Sequence, residues 1–176
     1  MSNAQLGESR QLHLEVLDMI NSVRQNHALE HATITLLMKR IDGNAKLIGH
    51  AGIAGFYLYG DVPTALVEQA AKDGLQFLQD GHEDLAISPL CGTNLVVTGV
   101  LTGIASLIAG TGSHGVGKLS NMIRASIIAA VVAQPLGMMV QRKFTTKVNV
   151  DNIGITGVIK SGKGKLTRHK ILVARL

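Results

Sequence analysis

The longest uncharged stretch of the chain limits its possible folds more than any other sequence feature. Between Leu85 and Gly117 there is no Asp, Glu, Lys or Arg over 33 residues. Residues 95–111 within this stretch are rich in Val, Leu, Ile, Ala and Gly. The apolar core of a bilayer takes about 20 helical residues, so this segment is long enough to cross a membrane. The stretch therefore predicts a membrane helix.

A second apolar run, residues 119–140, follows directly after a glycine-rich segment. It contains one charged residue, Arg124, whose long side chain can extend from near a helix end to the polar edge of a bilayer. Two such runs with a short connection predict a transmembrane helical hairpin over residues 93–141. Gly99 and Gly103 are four residues apart in the first run, a spacing that lets a second membrane helix approach closely. Contact with other membrane proteins or with a second copy is therefore expected through these glycines.

Composition and charge agree with a membrane protein. Charged residues make up 16% of the chain and hydrophobic residues 46%, whereas about a quarter of an average protein is charged. Residues 142–176 contain nine Lys or Arg and one acidic residue. Such a basic segment after an apolar run is typical of the cytoplasmic side of a membrane. We therefore expect an integral protein of a cytoplasmic or thylakoid-type inner membrane, with both termini in the cytoplasm and the bilayer as its partner.

Nucleic acid is the other usual partner of a basic segment, but this one lacks interleaved aromatic residues, so no nucleic acid is expected. The chain has one cysteine, which excludes an internal disulfide.

The residues outside the hairpin predict a small cytoplasmic α+β domain formed by 1–92 and 142–176. Hydrophobic periodicity predicts a long N-terminal helix over residues 9–40, ended by Gly43. A βαβ unit is then expected, followed by two or three C-terminal strands between residues 146 and 173. The βαβ unit consists of a strand at 55–60, a helix that ends near residue 79, and a strand at 84–88.

The predicted first helix carries the pattern H-x-x-E-H at His27, Glu30 and His31. Residues three and four apart lie close together on a helix, so the three side chains are expected on one face. Two imidazoles at this spacing can bind one metal ion, and a nearby carboxylate can handle the proton of a metal-bound water. The pattern therefore predicts a zinc site in which His27 and His31 are ligands and Glu30 is a general base. The alternative is an ordinary polar helix face on which a histidine pairs with Glu30.

A metal site needs a third ligand, and the sequence leaves several candidates. Cys91 is the first choice, because it lies at the junction between the predicted domain and the first membrane helix. A lone cysteine is also often a small buried apolar residue. The other candidates are His50, Glu68, His82 and His169.

A glycine-rich segment, Gly112–Lys118, fits the pattern G-x-x-x-x-G-K of a phosphate-binding loop. Leu119 stands where that loop needs Ser or Thr to hold magnesium. The apolar run before it is also too long for the strand that precedes such a loop. We therefore interpret this segment as the turn of the hairpin and not as a nucleotide site.

Three motifs together resemble a family of small bacterial membrane proteins described as a domain of unknown function. The motifs are NHALEH at 26–31, GFYLYG at 55–60 and CGTNL at 91–95. The resemblance implies a membrane architecture and marks His27, Glu30, His31 and Cys91–Asn94 as motif positions. A looser resemblance, carried by His27, Glu30 and His31, is to zinc peptidases with the inverted HxxEH motif.

Two functional hypotheses follow. In the first, the chain is a membrane-anchored metal-binding protein, and in the narrower form of this hypothesis it is a zinc-dependent hydrolase of the metallopeptidase type. In the second, it is a non-enzymatic assembly or scaffold factor in which a metal or polar cluster holds the domain together. The sequence alone leaves open whether the protein is an enzyme.

Overall fold

The computed structural model describes residues 3–41, 45–111 and 115–176, which fold into two compact units. The first unit comprises the described residues up to Ala86 together with Thr146–Leu176, and the second comprises Ile87–Thr145. The α+β class predicted from the sequence is confirmed. In chain order the helices and strands are α1 (Asn3–Arg40), β1 (Ile48–Gly52), β2 (Gly55–Tyr59), α2 (Thr64–Gln79), α3 (Gly92–Gly110), α4 (Gly115–Val140), β3 (Ile153–Ser161) and β4 (Arg168–Arg175).

The first unit contains a four-stranded antiparallel sheet in the order β1-β2-β4-β3. Each outer pair is a hairpin, with residues 53–54 connecting β1 to β2 and residues 162–167 connecting β3 to β4. Gly162 begins the second connection with φ +80°, where a Cβ atom would meet the Leu166 carbonyl, so the turn requires glycine. The C-terminal strands predicted from the alternating pattern are therefore present as a pair.

One face of the sheet, the inner face, is covered by α1 and α2. Phe56, Leu58 and Ile171 point to this face and have no exposed surface. They pack in one cluster with Leu29 of α1 and Val67 of α2. Burying side chains of this size contributes about 1.5–3 kcal/mol each. This cluster fixes the rotation of α1 about its axis, and with it the direction of His27 and His31.

The predicted strand at residues 84–88 is wrong. The chain forms a single 3₁₀ turn, Glu83–Ala86, instead. Gly81, at φ +92°, ends α2, and the amide of His82 donates a hydrogen bond back to the Phe77 carbonyl at 3.0 Å. β2 already has a neighbour on each edge, β1 and β4, so a strand after α2 has no place beside it. Among the described residues, the βαβ unit is therefore replaced by two hairpins.

The second unit consists of α3 and α4, which pack against each other, and a π-helical turn at Gln141–Thr145. The segments Gly92–Gly110 and Gly115–Thr145 are both long and apolar enough to cross a membrane. Only 6% and 11% of their most apolar windows are buried, so most of these apolar side chains face outward. The predicted helix stop at Gly43 and residues 112–114 of the predicted Gly-rich turn lie outside the described residues.

Candidate metal centre

The central part of α1 is anchored by side-chain hydrogen bonds to surrounding loops. The Asn26 amide donates to the carbonyls of Gly52 and Ile53 at 2.6 and 3.0 Å. The Gln25 amide donates to the Asn149 carbonyl at 2.7 Å and to the Asn152 side chain at 2.8 Å. These bonds come from the two residues directly before His27, so they hold this part of the helix in a fixed rotation.

The two histidines of the H-x-x-E-H pattern lie side by side. His27 and His31 have ring centroids 4.4 Å apart, with the ring planes inclined by 62°. His31 is buried and His27 is partly buried. The pair therefore has the one-turn spacing that the helical pattern predicted.

A backbone carbonyl orients the second histidine. The Nδ1 atom of His31 lies 2.7 Å from the carbonyl oxygen of Ala86. Because a carbonyl can only accept, the hydrogen bond requires the tautomer with the proton on Nδ1, and Nε2 keeps its lone pair. Histidines that bind metals are commonly held in this way by a backbone carbonyl. The 3₁₀ turn that replaces the predicted strand thus supplies the group that orients His31.

Cys91 occupies the cap position at the start of α3. It is buried, and its Sγ atom accepts a hydrogen bond from the backbone amide of Thr93 at 3.4 Å. A helix N-terminus favours negative charge, so this position suits a thiolate. A thiolate is the form of cysteine that binds metals.

A buried amide network holds the segment that carries Cys91. The Gln141 amide nitrogen donates to the Ser88 carbonyl and to Asn94 Oδ1, both at 2.9 Å. Its oxygen accepts from the Ser88 backbone amide at 3.0 Å, and the Asn94 amide donates to the Pro89 carbonyl at 2.9 Å. Gln141 and Asn94 are almost fully buried, so these bonds are shielded from water. The network fixes the backbone on both sides of the cysteine.

The structure brings the three predicted metal ligands together. His27, His31 and Cys91 each offer one ligand atom, and these atoms all lie within 4.8 Å of one another. Tetrahedral zinc with bonds of about 2.0–2.3 Å separates its ligand atoms by roughly 3.3–3.8 Å. Small side-chain rotations are enough to bring the three ligand atoms from a separation of at most 4.8 Å to the separation that zinc needs. The group can therefore hold a metal ion.

The third residue of the helical pattern, Glu30, contacts a strand. It is buried, and its carboxylate occupies the space that a Cβ atom on Gly49 of β1 would fill. Glu30 is about 100° around the helix from His31, which explains why the two side chains can point to different neighbours. The general-base role of Glu30 stays a prediction.

The other candidate third ligands have different surroundings. His50 lies on β1 opposite Tyr57, His82 packs against the Phe77 ring at 5.2 Å, and Glu68 forms an ion pair with Lys72 at 2.7 Å. None of them belongs to the group of potential metal ligands within the described residues.

His169 is fully buried on β4, where its Nε2 atom lies 3.2 Å from the Thr64 hydroxyl. Burial lowers the pKa of His169, and the positive charge of Lys160 lowers it further. It therefore belongs to the packing between the sheet and α2, and not to the group formed by His27, His31 and Cys91.

Sequence reasoning missed the residues that support the ligands. Ala86 acts through its backbone carbonyl, which any residue type offers, so no side-chain signal could identify it. Gln141 follows the second apolar run directly, and a polar amide at that junction is the signal that could have been used.

A comparison with known proteins identifies the family of the chain. The family model described as Domain of unknown function (DUF6391) matches residues 22–158. The chain belongs to this family. The DUF6391 match includes His27, Glu30, His31 and Cys91, and it confirms the resemblance that the three sequence motifs indicated.

A protein of Picosynechococcus sp. (strain ATCC 27264 / PCC 7002 / PR-6), described as uncharacterized protein SYNPCC7002_A1392, is 33% identical over 138 residues. The alignment covers 72% of this chain and 66% of that relative, so the chain spans slightly less than two thirds of the relative's length. No solved structure matches the chain. The DUF6391 family description assigns no activity, so a function must be argued from the site.

Proposed function

We propose that the chain is a membrane-anchored metal-binding protein whose metal ligands are His27, His31 and Cys91. The observation that supports this proposal is the separation of at most 4.8 Å among the three ligand atoms. The hydrogen bond from His31 Nδ1 to the Ala86 carbonyl supports it further, because that bond leaves Nε2 available to bind a metal.

The donor set indicates which metal to expect. Two imidazole nitrogens and one thiolate suit zinc, whereas magnesium and calcium prefer oxygen ligands. Three protein ligands leave a fourth tetrahedral position for water, and bound zinc makes such a water acidic enough to form hydroxide near neutral pH. The proposed site therefore has the donor number of a catalytic zinc centre.

The two apolar helices supply the proposed anchor. In a soluble protein their outward apolar side chains would be exposed to water, which is unfavourable, whereas in a membrane they would contact the apolar acyl chains of the lipid. Basic residues are concentrated after α4, in residues 142–176, so we place both termini in the cytoplasm.

The hydrolase hypothesis assigns the general-base role to Glu30. It requires the Glu30 carboxylate to leave the surface of Gly49 and act on a water at the open metal position. The contact between Glu30 and Gly49 instead favours the second candidate function, in which the metal is structural and the protein is an assembly or scaffold factor. The same experiment can test both hypotheses.

The test is to load the purified full-length protein with Co²⁺, which replaces zinc and gives a visible spectrum. We expect one Co²⁺ per chain, with an ultraviolet thiolate-to-cobalt absorption and the intense visible bands of four-coordinate cobalt. Cys91→Ser should abolish the ultraviolet absorption, and His27→Ala should lower the affinity about 100-fold or more. His82→Ala is the matched control, since His82 is an exposed histidine of the same unit. It should leave the ultraviolet absorption and the cobalt affinity unchanged.

Absence of stoichiometric binding, or an ultraviolet band that survives Cys91→Ser, would overturn the proposed ligand set. The role of Glu30 is tested on the same cobalt protein by following the visible spectrum against pH. If Glu30 acts on the bound water, Glu30→Gln will shift the pH midpoint of the spectral change. If the metal is structural, the spectrum will not depend on Glu30.

A further inference from the structure

The face of the sheet opposite α1 and α2, the outer sheet face, has a composition unlike the rest of the first unit. It includes Tyr57 and Tyr59 of β2, Arg168 and Lys170 of β4, and the isoleucines Ile48 and Ile159 of the edge strands. In the register of the sheet, Tyr57 lies opposite Lys170 and Tyr59 lies opposite Arg168. Ile48 is 68% exposed, Ile159 54% and Tyr59 39%, so the face is open.

The charge of this face has one sign. No Asp or Glu occurs in any of the four strands, whereas Arg168 and Lys170 are both cationic. The guanidinium carbon of Arg168 lies 5.2 Å from the centre of the Tyr57 ring, and the ammonium group of Lys170 lies 5.7 Å from it. The two cations are thus held side by side over one aromatic ring, where they attract an anionic partner.

Two classes of anionic partner are conceivable for such a face, and the ring contacts distinguish them. Single-stranded nucleic acid binds by stacking bases on open aromatic rings. The cations over Tyr57 occupy the position that a stacked base would need. Exposed isoleucines beside tyrosines and cations are instead typical of surfaces that lie at the boundary between lipid headgroups and acyl chains.

We propose that the outer sheet face binds the anionic headgroups of the membrane that anchors the chain. Arg168 and Lys170 contact lipid phosphates, while the tyrosines and isoleucines lie at the headgroup level. This inference rests on the proposed membrane anchor. Only residues 141–152 connect the end of α4 to β3. This short tether keeps the first unit close to the bilayer, so weak lipid contacts are sufficient.

The chain provides a convenient reporter because it contains no tryptophan. Tyr59→Trp places a single tryptophan, which can be excited selectively, on the outer sheet face of the full-length protein. The protein is reconstituted into nanodiscs of either neutral phosphatidylcholine or a mixture with anionic phosphatidylglycerol. Quenching by the neutral solute acrylamide then measures how accessible the tryptophan is.

We expect at least twofold weaker quenching in anionic than in neutral nanodiscs, and loss of this protection in concentrated salt. The double variant Arg168→Gln/Lys170→Gln should remove the protection. Lys39→Gln/Lys72→Gln is the matched control, because it removes the same charge from α1 and α2 instead of the sheet, and it should keep the protection.

Equal quenching in the two lipids would overturn the proposal, and so would protection by a single-stranded oligonucleotide in neutral nanodiscs. Co-elution of the chain with nanodiscs in concentrated salt tests the anchor separately. If the chain co-elutes but is not protected, the anchor stands and the lipid-binding face is wrong. If the chain does not co-elute, the membrane anchor and the lipid-binding face are both wrong. Ile48→Trp gives a second reporter on the same face if Tyr59→Trp does not fold.

Discussion

At the scale of single residues, His169 makes the stability of the first unit depend on pH. Its pKa is lowered in the folded state by burial and by Lys160, whereas in the unfolded chain it titrates near its ordinary value of 6.5. Below pH 6.5 the unfolded state therefore binds more protons, so the free energy of unfolding decreases as the pH falls. We expect the first unit to melt at lower temperature at pH 5 than at pH 7.5, and His169→Gln to reduce that difference.

Both tyrosines of the chain lie on β2, beside the strand that carries His169, so intrinsic tyrosine fluorescence reports the melting of this unit. Lys160→Gln is an independent check, because it removes the charge that lowers the pKa and should also weaken the pH dependence. A pH dependence that is identical in all three proteins would exclude His169 as its source.

Local geometry explains which site residues could be predicted. The pairing of His27 with His31 depends only on helical spacing, so the sequence was sufficient. The direction of Glu30 depends on the position of β1, and the hydrogen bond of His31 depends on where the 3₁₀ turn places Ala86. Both are tertiary effects, and no periodicity in the chain encodes them.

At the scale of helices and strands, Gly137 determines how α3 and α4 pack. A Cβ atom at Gly137 would overlap the side chain of Asn94, which is held by Gln141 and Pro89. Gly137→Ala gains about 1 kcal/mol in helix propensity but overpacks a buried polar network, which costs about 1–3 kcal/mol. We expect net destabilisation of the second unit and faster modification of the buried Cys91 thiol by a maleimide.

Gly117→Ala is the matched control for this prediction. It lies in the same helix, and a Cβ atom there has no neighbour within 4 Å. In this variant the Cys91 thiol should react with the maleimide as fast as in the wild type, since the added methyl group contacts no other atom. If Gly137→Ala behaves like Gly117→Ala, the contact with Asn94 does not restrict the packing of the helices.

The ends of helices and strands can be predicted from the sequence where nearby residues determine them. The end of α2 at Gln79 was predicted because Gly81 stops the helix locally. At its start, Pro63 holds the N-cap position without a side-chain hydrogen bond to the helix, and the Thr64 hydroxyl contacts His169. The strand predicted at 84–88 failed for another reason: a strand exists only with a hydrogen-bonding partner, and the partners of β2 come from distant parts of the sequence.

At the scale of the whole molecule, the proposed ligand set predicts that a bound metal raises the free energy of unfolding. The proposed ligands are distant in the sequence, with His27 and His31 on α1 and Cys91 directly before α3. A ligand that binds only the folded protein stabilises it by about 2.7 kcal/mol when its concentration is 100 times its dissociation constant. For a chain of this size that corresponds to an increase in melting temperature of roughly 5–10 °C.

Two probes follow unfolding in this last experiment. Tyrosine fluorescence reports the sheet, and the reactivity of the single cysteine reports the segment before α3. Added Zn²⁺ should raise the melting temperature seen by both probes, and a chelator should reverse both changes. His27→Ala should abolish the two shifts together, although His27 is distant in the sequence from both tyrosines and from the cysteine. A zinc-dependent shift in only one probe would contradict the proposed ligand set, because a metal bound by His27, His31 and Cys91 has to couple both unfolding transitions to the same binding equilibrium.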